Sequence, residues 1–217
     1  MSILQVSVGA PAKQGDNTQP NALGGALGEL ATSRLHGDYY NLTSRGMVYS
    51  GNQGAAGAVI PIYSNTTQQC GILNPGTSGV NIVPIRINFG YVDTTGAAGS
   101  FALGYITTGD GIIATGGKGV TAATLSTPVP CKLGSTPAKG LFMASAITTV
   151  APGLLMQLGL NQLVTTATDA TTTPWVQSYD FNGSVVVPPG TGIFAAGNIA
   201  VLIKMAISII WAEVPIV

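Results

Sequence analysis

Apolar and polar positions alternate along this chain with a period of two, and the alternation is repeatedly cut by Gly, Thr, Ser, Asn and Pro. In Val80–Tyr91, the odd positions Val83, Ile85, Ile87, Phe89 and Tyr91 share one face, with Asn81, Arg86 and Asn88 opposite. That spacing predicts a strand, and Pro84 within it predicts a strand edge or a bulge. Phe101, Leu103 and Tyr105 repeat the pattern beyond the turn-like segment Asp93–Gly99, so the two segments read as a hairpin with a longer loop. The strongest run is Ile199 to Trp211. Ile199, Val201, Ile203, Met205, Ile207, Ile209 and Trp211 fall on one face, and β-branched enrichment predicts a long central strand rather than a helix.

Further strands are predicted at Ile3–Val8, Tyr39–Tyr49, Ala58–Tyr63, Gly71–Leu73, Gly140–Met143, Trp175–Phe181, Gly183–Val187 and Ile193–Ala196. The turn signals Asn74-Pro75-Gly76, Asn182-Gly183 and Pro188-Pro189-Gly190 separate several of them. Many short strands at such spacing predict an all-β fold, an antiparallel sandwich or jelly roll. At most two short helices are expected. Ala22–Ala31 is weakened by Gly24, Gly25 and Gly28, and Gly153–Leu163 is the other candidate. Residues 1–36 are expected to form an extended N-terminal arm or a peripheral surface segment, with the sandwich over residues 37–217. Thr165–Thr173 reads as a long exposed loop.

Composition sharpens this picture. Only 7% of the 217 residues are charged, 30 are Gly, and eight Lys+Arg balance eight Asp+Glu. Phosphate binding needs clustered cations, yet Lys13, Arg34, Arg45, Arg86, Lys118, Lys132, Lys139 and Lys204 stand singly. No nucleic-acid partner is expected. The longest apolar run, Ile199–Trp211, contains Lys204 and is short of the roughly twenty residues of a membrane span, so no membrane partner is expected either. The N-terminus lacks the basic and apolar regions of a secretory signal, which predicts synthesis in a cytoplasm. Neutrality favours association over repulsion.

Chemistry is sparse. His36, the only histidine, would have to serve any Ser/His/Asp hydrolase, but Gly99-Ser100-Phe101 lacks the Gly-x-Ser-x-Gly frame, and His36 reads as a locally bonded strand-entry residue. The carboxylates Asp16, Glu29, Asp38, Asp93, Asp110, Asp169, Asp180 and Glu213 are dispersed. A glycosidase pair of Asp93 with Asp110 or Asp180 stays open, although Asp93, Asp110 and Asp169 beside Gly or Thr read as turn residues. Gly111–Gly119 resembles a phosphate loop but has Ile112 in place of the first glycine and Gly119 in place of the Ser/Thr. Cys70 and Cys131 are too few for a metal site and read as reduced, buried small hydrophobes. The sequons at Asn41, Asn65 and Asn182 are expected by chance in a chain of this composition. No catalytic, cofactor or metal residue is expected.

Thr32–Tyr40 and Ser44–Ser50, with Asp180–Gly190 and Ser208–Pro215, resemble segments of tailed-bacteriophage virion proteins. The resemblance implies a jelly-roll capsid decoration or cement protein. It would bind the major capsid protein at the capsid surface and self-associate as a homotrimer. The alternative is a receptor-binding head or tail-fibre protein whose Thr/Gly/Asn loops meet host glycans.

Overall fold

The computed structural model describes residues 39–54, 56–93, 99–107, 119–150, 152–161, 176–198 and 201–216. Contacts divide the chain into residues 1–41 and 42–217. The predicted arm, the strand at 3–8, the helix at 22–31 and the loop at 165–173 lie outside the described residues.

The described chain opens with a short helix α1, Tyr40–Ser44, where a strand was predicted. Gly46 stops it in the left-handed region (φ 73°). Met47 N–H donates to Leu42 O and Gly46 N–H to Thr43 O, the paired bonds of a Schellman cap. Thirteen strands follow. They are β1 (Val48–Asn52), β2 (Ala58–Pro61), β3 (Thr67–Gln68), β4 (Gly71–Asn74), β5 (Val80–Asp93), β6 (Ser100–Thr107) and β7 (Gly119–Ser126). The remainder are β8 (Val129–Pro130), β9 (Leu141–Val150), β10 (Gly153–Asn161), β11 (Val176–Asp180), β12 (Thr191–Gly197) and β13 (Val201–Pro215).

All strand pairs are antiparallel, in two sheets. One runs β11-β5-β13-β1-β8, with β2 also on β13; the other runs β10-β6-β12-β4-β9, with β3 and β7 also on β9. The pairing is nested: β1 with β13, β4 with β12, β5 with β11, β6 with β10. Taking β1, β4, β5, β6, β10, β11, β12 and β13 in order, the first meets the last, the second the second-last, and so inward. That is a jelly roll. The segment between β6 and β10 is an insertion. It adds β8 beside β1 in one sheet and β9 beside β4 in the other, extending both sheets on the same side.

The strand signals explain the core. Met205, Ile207, Ile209 and Trp211 of β13 are all buried, as are Ile85, Ile87 and Phe89 of β5. At Pro84 the β5–β13 register slips, Ile210 facing Arg86 and Trp211 facing Pro84. The bulge reverses the parity, so Ile82 and Val80 are buried in place of Val83. Pro84 is tolerated inside a central strand because the chain on its other side is absent there. After Phe181 N–H donates to Ile85 O, the Asn182-Gly183 turn (φ 48° and 77°) carries the chain away, and it rejoins only at Val187, which exchanges both backbone bonds with Ile82. The strand predicted at Gly183–Val187 is therefore a bulged excursion with one bridge.

Gly153–Leu163, a helix candidate on Leu and Met content, is instead strand β10 through Asn161. Pairing with β6 overrides local propensity, and Gly159 at φ 67° does not suit a helix. The second sheet is buried on both faces. Ile72, Phe101, Leu103, Phe142, Ile193 and Ala195 point into the inter-sheet core, while their chain neighbours Leu73, Ala102, Met143, Phe194 and Ala196 form a second buried cluster with Ile106 and Ile147. Phe194 lies so close over Gly104 that a Cβ there would sit 2.2 Å from its ring. Inside the sandwich, Phe89 stacks on Phe101 across the sheets with ring centres 4.2 Å apart.

Candidate interaction surfaces

The exposed apolar side chains are not scattered evenly. On one side of the sandwich, β10 and β11 are the outer strands of their sheets. Leu154 faces Gly104 and Met156 faces Leu103, so Leu155 is the extra residue of a bulge, and both leucines are exposed. Tyr105, also exposed, lays its ring over Gly153, where a Cβ would come within 2.3 Å of the ring. Val186, on the excursion after β11, completes the group. Tyr105, Leu155, Val186 and Pro188 line a groove of about 280 Å³. On the opposite side, the insertion exposes Leu125 of β7, Val129 of β8 and Leu133 of the following turn.

The chain matches no known protein family, no curated protein and no solved structure. Its chemistry must be taken from its own residues.

Between these edges the outer face of the first sheet carries a shallow recess of about 370 Å³ with an uncharged lining that includes Asn52, Gln53, Asn88, Gly90, Ala206 and Ser208. Asn88 Nδ2 donates to Ser208 Oγ at 3.1 Å. Farther along that sheet, Arg86 holds Asp180 with two bonds, Nε to Oδ1 at 2.5 Å and Nη2 to Oδ2 at 3.0 Å. The Arg86 bond keeps the Asp180 carboxyl below its usual range. A depressed carboxylate contributes stability that is present above its unfolded pKa and lost as pH falls through the folded value. Both side chains are nearly half exposed, so screening limits the pair to under about 1 kcal/mol. Urea titrations should show Arg86→Ala slightly less stable than the parent at pH 7, with the gap closing below about pH 4. A gap that persists in acid would refute this account.

The predicted site residues separate. Asp180 pairs with Arg86, seven positions along β5 from Asp93. At about 3.3 Å per residue that is roughly 23 Å, far beyond the spacing of a glycosidase pair. His36, Asp16, Glu29, Asp38, Asp110 and Asp169 lie outside the described residues, as does most of Gly111–Gly119. Among the described residues no three His, Cys, Asp or Glu side chains gather as for a metal, and no helix is long and apolar enough to cross a membrane. Both cysteines are free. Cys70 is buried as expected, and burial pushes its thiol far up. Cys131 departs from the expectation: it is exposed, on the turn leaving β8.

Glu213 was read only as one dispersed carboxylate, yet it is buried, at 5% exposure. Its Oε1 accepts from Gly140 N–H at 2.7 Å and its two oxygens accept from Lys139 N–H at 2.9 and 3.0 Å. Trp211 Nε1 adds a 3.5 Å donation. The carboxylate thereby clamps β13 to the start of β9, joining the two sheets at one end of the sandwich. Gly140 permits that approach, since a Cβ there would meet Ile82 at 2.5 Å. Above the clamp lies a recess of about 460 Å³ with Arg45, Thr136 and Lys139 among its lining.

Proposed function

We propose that this chain is a non-enzymatic structural component of a bacteriophage virion, a capsid decoration or cement protein that binds the major capsid protein lattice and stabilises it. The observation that carries the reading is a jelly roll of zero formal charge with apolar side chains exposed along two edges. Jelly rolls serve in viral capsids and in lectins alike, so the fold supports the class of role and not a particular partner. The resemblance of Thr32–Tyr40, Ser44–Ser50, Asp180–Gly190 and Ser208–Pro215 to phage virion proteins supports the capsid over the other uses. The carboxylates of Asp180 and Glu213 are engaged within the fold, which agrees with a binding role.

The test is co-sedimentation of the purified chain with empty phage shells. Binding is expected to saturate, and deletion of residues 1–30 is expected to abolish it while the thermal transition of the sandwich is retained. Glycan-array hits without shell binding would replace this reading with receptor recognition.

A further inference from the structure

We infer that copies of this chain join edge to edge in one direction. The apolar edge of Tyr105, Leu154, Leu155 and Val186 on one copy seats against Leu125, Val129 and Leu133 on the next. This deepens the assembly role proposed above and rests on it, by naming the surfaces through which the protein would self-associate.

A single exposed leucine on a protein surface is ordinary. Tyr105, Leu155 and Val186 gathered on one groove are not, and Leu154 is exposed next to Leu155 on an outer strand with no charged residue from Gly153 to Asn161. Natural sheets usually guard such a strand with Lys, Pro or a covering segment. Among the described residues β10 pairs only with β6, and the strand contains no Lys or Pro. Leu155, the extra residue of its bulge, is exposed as Leu154 is.

The chemistry of the groove selects its occupant. None of its lining residues is ionisable near neutral pH, so a partner presenting charges there would lose their hydration without compensation. The opposite edge of the same chain offers the matching surface. Leu133 is 83% exposed, Val129 is half exposed, and Leu125 is exposed on the same insertion. The nearby cation, Lys132, is drawn away, its Nζ donating to Ser44 O at 2.7 Å. Pro130 removes an N–H from β8, which makes this side a side-chain contact and not an added strand. With eight positive and eight negative residues, two copies approach without net repulsion.

Geometry then sets the symmetry. The sheet order β11-β5-β13-β1-β8 places the two edges four strand spacings apart, about 19 Å. Two copies cannot satisfy both edges of both partners at that separation. A contact between unlike surfaces repeats head to tail, giving a ring of three or more copies where the rotation closes and an open filament where it does not.

Sedimentation velocity on the purified full chain, with no shells present, reads this directly. The parent is expected to sediment as an assembly of at least three copies. Leu155→Lys and Leu133→Lys are each expected to sediment as monomers with unchanged thermal transitions, since both positions are exposed. An equimolar mixture of the two variants is expected to form a one-to-one dimer, because each supplies the edge the other lacks. The inference is overturned by a monomeric parent, by an assembly that survives Leu133→Lys, or by a mixture that stays monomeric. Loss of shell binding with the assembly intact would instead overturn the capsid role alone.

Discussion

Replacing Glu213 by Ala is expected to cost about 2–5 kcal/mol, because two backbone donors at the start of β9 lose their acceptor inside the fold. For a domain of this size that corresponds to a fall in melting temperature on the order of 5–15 °C. The asymmetry of hydrogen bonding drives the effect. The intact bonds return only a modest net gain over water, but Gly140 N–H is buried and loses a charged acceptor once the carboxylate is gone. Glu213→Gln keeps one oxygen for Gly140 and points an NH₂ at the remaining donors, so it should fall between parent and Ala, at about 1–2 kcal/mol. Urea denaturation of the three proteins checks the order. An Ala variant within about 0.5 kcal/mol of the parent would show that the clamp does not hold the sheets together.

Trp211→Ala is expected to be the most damaging single core substitution, at about 3–5 kcal/mol. Trp211 is fully buried on β13 and packs between strands of both sheets. Its ring lies parallel to Phe142 of β9 (centres 6.4 Å apart, 9° between planes) and tilted against Tyr49 of β1 at 6.3 Å. Phe142 has little freedom to collapse into the vacated space in another direction, since it already lies over Gly51, where a Cβ would be 2.2 Å from the ring. The cavity therefore persists, and the cost includes lost dispersion as well as lost transfer energy. Trp211→Phe should recover about half. A guanidinium midpoint shifted by less than the equivalent of 1 kcal/mol in the Ala variant would contradict this packing.

Much of the strand layout was legible because period-two burial is a local signature. β5, β6, β12 and the described part of β13 lie where alternation placed them, and Pro84 does mark a bulge. Asn182-Gly183 does make a turn, but it throws the chain out of the sheet instead of reversing it into a new strand. The misreadings share a cause. Gly153–Asn161 carries helix-favouring Leu, Met and Gln, and only its pairing with β6 makes it a strand. Tyr40–Ser44 is short enough that its cap at Gly46, more than its composition, decides the helix. Nor does the alternation reveal that the second sheet is buried on both faces: Phe194 and Ala196 are as buried as Ile193 and Ala195, because a further cluster forms on its other face. For the candidate surfaces almost nothing was legible. Leu125, Val129, Leu133, Leu154 and Leu155 are ordinary apolar letters until the sheet order leaves them at the edges.

By itself the amino-acid sequence determined an all-β chain, neutral and poor in reactive groups, since composition and period-two alternation act residue by residue. Only the tertiary structure decided which strands lie side by side, that Glu213 closes one end of the sandwich, and which apolar side chains stay in water. Those outcomes depend on contacts between segments far apart in the chain, and no local pattern carries that information.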